Sequence, residues 1–406
     1  MRPLGRRAAV MAGMLAFVAV LTGIFLSGSL RGDFRVDEAH KISETAFLQL
    51  WLRGEAAHTA WYANVIDRTN PPAGKYAFGA AILVSGRPLP PLPTLSVHSP
   101  DGEIPTVHPE PLSAPYRPLL SAARAVSAVA TALTAALLTA MLARYHGWIA
   151  AVAACAFFSL NFLTRDYAAT AVFDPLFALF FTMCIALTAG ASPRRTVTSA
   201  VSIGIVTALA FQTRLNGLFA CVIAMPFLWI ALRRRRAITI AAAVFIGTTL
   251  TLNPFYWSTP PAPLHPFSSH DGPLRPVERL LQQKQDLERL AAPLQETRTE
   301  GRGVGGNVRY LFEMVMSDLS GLLLMLGAGI GVVLLVMRWR LLAPAMRVAF
   351  LMSLAVIATM VATLPLPWPR YLLVVIPPLA LLAGFGTGEM VNLCVQRTTR
   401  KRYGVR

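Results

Sequence analysis

The stretch 168–190 reads AATAVFDPLFALFFTMCIALTAG and contains a single charged residue, Asp174. A helix of about 20 apolar residues is long enough to cross a bilayer, so this stretch is predicted to be a membrane span. An acidic side chain inside a span is rare because desolvating its charge costs free energy, and such a residue is a candidate for function. The alternative is an acid at a helix N-terminus near the membrane interface, where the helix dipole stabilises it. Pro175 fits such a helix start.

The composition of the whole chain supports a membrane protein. The 406 residues are 55% hydrophobic and 14% charged, whereas a soluble globular protein is about 25% charged. So few charges cannot cover a water-facing surface, which excludes a soluble enzyme, a disordered protein and a fibrous protein. We predict an all-α polytopic membrane protein with about ten transmembrane helices. The predicted spans are 8–30, 117–143, 147–164, 168–190, 196–213, 215–232, 237–257, 310–337, 342–364 and 371–390.

Clusters of arginine and lysine predict the orientation of these spans, because cytoplasmic loops carry an excess of basic residues. With the N-terminus in the cytoplasm, the outer segments balance their charges and the whole net charge of +17 lies inside, where anionic lipids attract it. The positive charge therefore needs no nucleic-acid partner, and we expect none. We expect a bacterial plasma membrane and both termini in the cytoplasm. The basic clusters are at 144, 194–195, 233–236, 338, 340 and 397–406.

Two long segments fall on the extracytoplasmic side, 31–116 and 258–309, and both are interpreted as loops of one transmembrane domain that covers 1–406. The first is expected to form two short strands between Thr94 and His108, and its later part is rich in proline. The second has leucines and a valine at helical spacing over 277–294, which predicts an amphipathic helix on the membrane surface. The glycine cluster that follows predicts a flexible linker, with a phosphate-binding loop as the alternative.

The orientation also places polar residues from distant parts of the chain on the extracytoplasmic side. Each of them alone has an ordinary explanation as a polar residue where a helix leaves the bilayer. Their common side makes them a candidate site. The candidate catalytic residues are Asp37, Glu38 and Asp174. The candidate substrate-binding residues, which include two prolines of one motif, are Asn70, Pro71, Pro72, Lys75, Arg165, Asp166, Arg214, Arg370 and Tyr371.

The order of these short motifs resembles that of the GT-C membrane glycosyltransferases, in the branch of protein O-mannosyltransferases and lipid A aminoarabinose transferases. Such enzymes carry Asp-Glu soon after the first span and His/Asn-Pro-Pro-x-x-Lys later in the same loop. This chain has Asp37-Glu38 and then Asn-Pro-Pro-Ala-Gly-Lys over 70–75. Residues 116–124 resemble the arginine-bearing start of the second span, 163–174 resemble the second acidic motif, and 369–378 resemble a late Arg-Tyr span.

This resemblance implies a reaction. GT-C enzymes use a polyprenyl-phosphate sugar on the external face, and the acceptor hydroxyl here could belong to a protein, a lipid or a glycan. We predict a single inverting displacement with Asp37 as general base, and with Glu38 or Asp174 orienting the acceptor or the base. Lys75, Arg214 and Arg370 are expected to bind the donor phosphate.

The resemblance to the mannosyltransferases implies no obligate cofactor. The carboxylates of Asp37, Glu38 and Asp174 could nonetheless hold a divalent cation such as Mg²⁺. The main alternative function is a lipid-sugar flippase or transporter without bond chemistry. That alternative predicts polar residues through the middle of the spans, and the sequence has few on the cytoplasmic half. The identities of the sugar and of the acceptor are open at this point.

Overall fold

The structure is a computed structural model, which describes residues 3–29, 36–58, 60–63, 70–92, 116–258, 275–296, 304–363 and 368–403. Every regular element in these residues is a helix, which confirms the predicted all-α class. The helices are α1 (Pro3–Ser29), α2 (Val36–Ser43), α3 (Phe47–Leu52), α4 (Ala60–Ala63), α5 (Pro72–Val84), α6 (Arg117–Tyr145), α7 (Trp148–Leu160), α8 (Phe162–Ala168), α9 (Asp174–Ala189), α10 (Thr196–Thr213), α11 (Leu218–Leu232), α12 (Arg235–Leu252), α13 (Arg275–Glu296), α14 (Val304–Val315), α15 (Leu319–Arg338), α16 (Pro344–Ala362) and α17 (Ile376–Tyr403).

Within the described residues, seven helical segments are long and apolar enough to cross a membrane. An eighth results if α7 and α8 are one span, bent by 65° at Asn161. The protein is therefore an integral membrane protein. Two more of the predicted spans correspond to shorter apolar stretches, Ala12–Gly28 within α1 and Asp174–Ala189, the whole of α9. The segment 168–190 falls short because its helix begins only at Asp174.

The predicted boundary between 196–213 and 215–232 is confirmed, because the 3₁₀ turn Leu215–Gly217 separates α10 from α11. The span predicted over 310–337 is present but begins later, at Leu319. Residues 310–315 belong to α14, and Asp318 starts α15 by accepting a hydrogen bond from the Gly321 amide at 2.8 Å.

The two predicted extracytoplasmic loops carry short helices, as expected. The second contains α13, which packs on the 3₁₀ turn Pro254–Tyr256, where the Tyr256 hydroxyl bonds Gln283 at 2.8 Å. Gly305 and Gly306 lie in α14, so the predicted linker is wrong there, and 301–303 lie outside the described residues. The strands predicted between 94 and 108 also lie outside the described residues.

The last helix lies at the centre of the bundle. Residues 372–386 are all buried, and they pack against α7, α9 and α15. Gly386 faces Gly331 of α15 so closely that a β-carbon would come within 2.7 Å of the Gly331 amide nitrogen. Small residues at such a crossing allow helix backbones to approach, as is common between membrane helices. Because α17 is fixed on all sides, the residues just before it, from Pro369, have a fixed place at its N-terminal end.

The first loop packs over the same end of the bundle. Its helices α2, α3 and α5 contribute Ile42, Phe47 and Phe78 to a buried apolar cluster that also contains Phe173, the residue before α9. This cluster seats the polar residues of α2 against the N-terminal ends of α6, α9 and α17. We call this end of the bundle the carboxylate end, since Asp37, Glu38, Glu44 and Asp174 all lie there.

Candidate active site

Helix α2 presents its ionisable residues in two different environments. Asp37 is exposed, with 57% of its side chain accessible, whereas its neighbour Glu38 is fully buried. Lys41 and Glu44, further along the same segment, are buried as well. Adjacent residues on a helix point in different directions, so the Asp37-Glu38 pair serves two separate surfaces.

The Glu38 carboxylate is bound by donors from two other parts of the chain. Arg124 of α6 donates from Nε and Nη2 to the two carboxylate oxygens, each at 2.7 Å. The amide of Ala171, just before α9, donates to Oε1 at 2.7 Å. Forked arginine–carboxylate pairs of this kind are strong and directional. Glu38 thus fixes α2 to α6 and to the start of α9, and this geometry favours a structural role over the predicted role in orienting the acceptor.

Asp37 faces an open pocket of about 210 Å³. Arg370 donates to its Oδ2 from Nη1, and the guanidinium of Arg370 lies 4.2 Å from the centre of the Trp368 ring. The stacked indole and the carboxylate together hold Arg370 at the pocket wall. The pocket is also lined by Tyr167 and Thr170. Asp37 is therefore a carboxylate that a substrate can reach.

Asp174 is buried at the first position of α9 and pairs with Arg214, whose Nη2 lies 2.6 Å from Oδ2. The interpretation of Asp174 as an acid at a helix N-terminus is confirmed, and the residue also pairs with a largely buried cation. Its Oδ1 has no hydrogen-bond partner among the described residues. The Arg214 guanidinium lies 5.0 Å from the Tyr371 ring, and Arg370 lies 5.6 Å from the same ring. Tyr371 thus separates the two arginines that the sequence predicts to bind phosphate.

The Asn-Pro-Pro-x-x-Lys motif forms the start of α5. Pro71 is extended and Pro72 is the first residue of the helix, a position that suits proline because its missing amide is not needed there. The motif's two polar side chains then converge on one carboxylate. Asn70 donates to Glu44 Oε1 at 3.2 Å, and the buried Lys75 ammonium lies 3.7 Å from the same oxygen.

Glu44 was not identified from the sequence as a site residue. Lys41 donates to its Oε2 at 3.1 Å, and His40 Nε2 lies 3.3 Å from Oε1. Burial alone would raise the pKa of Glu44, but Lys41, Lys75 and His40 outweigh it and hold that pKa well below the ordinary value of 4.5. The carboxylate is consequently ionised at neutral pH.

Lys41 also shifts. Burial lowers its pKa below the ordinary value of 10.5, Glu44 opposes that change, and Arg214 adds to it. The signal that could have identified these residues is their spacing, because Asp37, Lys41 and Glu44 recur at i, i+4 and i+7, on one face of a helix.

Gly74 allows this arrangement to pack. A β-carbon there would lie 2.5 Å from ring atoms of Phe173, which real structures do not tolerate. The same ring lies under the Lys41 ammonium, at 5.0 Å from its centre, and meets the Phe78 ring edge to face. Helices α2 and α5 and the start of α9 therefore meet at Phe173.

Two of the predicted site residues lie elsewhere. On α8, Arg165 is exposed and Asp166 is half-buried, and neither is among the described residues that line the Asp37 pocket. The contribution of α8 to that pocket is Tyr167. The described residues also contain no group of three or more His, Cys, Asp or Glu side chains arranged to hold a metal ion. Instead, Asp37, Glu38 and Asp174 are each paired with a different arginine.

No protein-family model matches the sequence, and no curated protein gives a significant match. Solved structures do match. The chain is similar to ArnT from Cupriavidus metallidurans bound to undecaprenyl phosphate, with a TM-score of 0.57 and 15% sequence identity, and to the same protein in the apo state, with a TM-score of 0.53 and 15% identity. Both comparisons cover 93% of this chain, which spans only 60% of the ArnT chain. This chain therefore shares the fold of ArnT.

Proposed function

We propose that this protein is a glycosyltransferase that moves a sugar from a polyprenyl-phosphate donor to a hydroxyl acceptor at the extracytoplasmic face of the membrane. The ArnT-like fold supports this function, since one of the ArnT structures contains undecaprenyl phosphate. A fold alone does not establish a function, so the proposal depends on the site. The observation that carries it is the accessible Asp37 carboxylate beside Arg370 in an open pocket.

The proposed reaction is a single displacement. The acceptor oxygen attacks the anomeric carbon, the bond from that carbon to the phosphate oxygen breaks, and polyprenyl phosphate leaves with the electron pair. Asp37 takes the hydroxyl proton, so the products are the glycosylated acceptor and the lipid phosphate. Attack opposite the leaving group inverts the anomeric centre, and no covalent enzyme intermediate is required.

Arg370 has two partners in this scheme. Before the donor binds, it pairs with Asp37. The donor phosphate competes for the same guanidinium, because arginine forms forked bonds with phosphate as it does with carboxylate. When Arg370 binds phosphate, the Asp37 carboxylate loses its ion-pair partner, and its oxygens become available to the acceptor hydroxyl. Donor binding thereby prepares the base.

The remaining charged residues of the site assist Asp37 and Arg370 in binding and positioning. Arg214 and Lys75 add positive charge for the phosphate, Asp174 holds Arg214, and Glu38 holds α2. The acceptor is a protein, a lipid or a glycan, and membrane lipid surrounds the bundle. Mass spectrometry of lipid-linked sugars and surface glycans from a deletion strain identifies the sugar and the acceptor, because the donor accumulates and the product is lost.

Asp37→Asn tests the mechanism. Removing a general base lowers turnover by about 10²- to 10⁴-fold. Binding of undecaprenyl phosphate to the purified variant should persist, because the loss of the Asp37 charge leaves the Arg370 guanidinium available to the phosphate. The measurement is release of free polyprenyl phosphate in the presence of acceptor.

The matched control is Asp318→Asn, at a helix N-cap where asparagine is an equally good residue. Turnover retained by Asp37→Asn would remove Asp37 from the base role. Lipid movement across a vesicle membrane without release of polyprenyl phosphate would favour the flippase alternative.

We also propose that the chain forms one GT-C-like domain over 1–406, with both termini in the cytoplasm and with 31–116 and 258–309 outside. A membrane-impermeant thiol reagent applied to intact cells tests this orientation. It should label Asp101→Cys and should not label Arg194→Cys above the parent protein. The reverse pattern would invert the topology and place the candidate site in the cytoplasm.

A further inference from the structure

Glu44 is fully buried, yet four polar side chains from two separate segments surround it. His40 and Lys41 approach from α2, while Asn70 and Lys75 approach from the start of α5. A buried ion cluster is weak support for stability, because removing each charge from water costs about as much as the pairing returns. Apolar residues of the same volume would hold the two segments together as well. Lys41 of this cluster lies close enough to Asp37 for their charges to interact, so the cluster points to a role other than stability.

The carboxylate divides its two oxygens between two lysines. Oε2 accepts from Lys41, and Oε1 faces Lys75. Each ammonium also lies on an aromatic ring, Lys41 over Phe173 at 5.0 Å and Lys75 over Phe47 at 4.4 Å. A lysine side chain is long and loses much rotamer freedom when it is fixed. One carboxylate and two rings thus fix two ammonium groups that would otherwise repel each other.

Lys41 lies next to the proposed chemistry, and Lys75 is joined to it through Glu44. Lys41 is one helical turn after Asp37 on α2. The Phe173 ring beneath it immediately precedes Asp174, so Lys41 and the Asp174–Arg214 pair share one corner of the site. Lys75 and Asn70 border a small cavity of about 10 Å³ that Trp61 and Gln283 also line.

From this geometry we infer that Glu44 is a positioning residue that holds Lys41 and Lys75 as a pair of cations for the anionic head of the donor. The inference depends on the proposed function and adds two residues to it. Lys41 becomes a second phosphate-binding lysine, and Glu44 acts through both lysines without touching the substrate.

Glu44→Gln should weaken binding of undecaprenyl phosphate by about tenfold or more, because an uncharged amide cannot fix both ammonium groups. The KM for the donor should rise while kcat changes less. Glu44→Asp keeps the charge and should restore part of the affinity. The matched control is Glu389→Gln, which neutralises another buried carboxylate, paired with Arg338 at the opposite end of the bundle. The Glu389→Gln variant should bind undecaprenyl phosphate as tightly as the parent protein does.

The pH profile separates positioning from stability. Without Glu44, Lys41 loses the nearest anion that favours its charged form, so its proton is released at a lower pH and donor affinity falls on the alkaline side earlier than in the parent protein. Glu44→Gln combined with Lys41→Arg should not show this early loss, because arginine stays charged. The ionisable groups that act on Lys41 are Glu44, Arg214 and Asp37. His40 and Lys75 contact the same Glu44 carboxylate, and the ion pairs Glu38–Arg124 and Asp174–Arg214 join the neighbouring elements.

The outcomes are distinct. If the parent protein fails to bind undecaprenyl phosphate, the proposed function falls and the inference falls with it. If the parent binds the lipid but transfers no sugar, the transferase proposal fails, and the binding contrast still decides the role of Glu44. Parental affinity and pH dependence in Glu44→Gln, or an equal loss in Glu389→Gln, would overturn the inference alone. If Glu44→Gln does not fold, Lys41→Met must lose affinity and Lys41→Arg must keep it; equal affinities would overturn the inference.

Discussion

The arginines at the two ends of the helix bundle differ in burial and in pairing. At the carboxylate end, Arg124 and Arg214 are withdrawn from water and each is bound by an acid of another element. At the opposite end, which we call the arginine end, most basic residues between helices are exposed, as in 233–236 between α11 and α12, whereas Arg338 is half-buried and pairs with Glu389. Exposed arginines need no partner and can lie at any helix terminus. A buried arginine needs a carboxylate at a fixed position beside it, so a group of buried arginine–carboxylate pairs indicates a site with a defined geometry.

Among variants that test this difference, Arg124→Met is expected to have the largest effect on the free energy of unfolding. Arg124→Met leaves Glu38 buried without its forked partner, and breaking a buried pair costs about 3–5 kcal/mol. Arg234→Met at the arginine end removes an exposed charge and should change the free energy of unfolding by less than about 0.5 kcal/mol. Unfolding of both variants in detergent, followed by circular dichroism, measures the difference. Similar losses in the two variants would contradict the comparison.

Glu44→Gln should show a smaller loss of stability that depends on pH, since glutamine still accepts a hydrogen bond from Asn70. The pKa of Glu44 is lowered in the folded state, so its ionised form stabilises the protein at pH values above its ordinary pKa of 4.5. This stabilisation is lost as the pH falls through the lowered value. The gap in unfolding temperature between the parent and Glu44→Gln should therefore be full at neutral pH and shrink below about pH 4. A gap that widens on acidification would have the wrong sign.

Gly74→Ala should cost about 1–3 kcal/mol, because the added methyl group must displace the Phe173 ring. It should also weaken donor binding, since that ring supports Lys41. Gly247→Ala, in α12 with nothing within 4 Å of its β-carbon position, should instead stabilise the helix by about 0.5–1 kcal/mol. Thermal unfolding of both variants measures these opposite signs. Stabilisation by Gly74→Ala would show that Phe173 can move freely.

Much of the carboxylate end could be predicted from local patterns. An acid in an apolar run identified Asp174, and alternating basic clusters placed Arg214 and Arg370 at the same end of the helices. The pairs themselves could not be predicted, because Asp37 and Arg370 are 333 positions apart and only the packing of α17 brings them together. Glu44 was missed for another reason. It lies in a short polar helix whose charges have an ordinary explanation as an exposed face, and burial by the first loop is a tertiary effect.

The starting points of some spans differed from the prediction because apolar composition does not specify where a helix begins. Residues 169–173 are as apolar as those after them, but the chain leaves the helix there so that the Ala171 amide can bond Glu38. Asn161 likewise divides an apolar run by accepting a hydrogen bond from the Leu163 amide at 3.1 Å. In both places a polar contact, and not the length of the apolar run, determines where the helix begins.

The partners of α2 also impose an order on biosynthesis. Ala171 follows Glu38 by 133 residues, and Arg370 follows Asp37 by 333. A ribosome adding about 5–20 residues per second needs on the order of ten seconds to supply the first of these partners and several tens of seconds to supply the second. In the nascent protein, Glu38 therefore binds its partners early, whereas Asp37 lacks Arg370 until the last span is inserted. Asp37, the proposed general base, acquires its cation as one of the final events of assembly, so a truncated chain would hold its first loop in place without the Asp37–Arg370 pair.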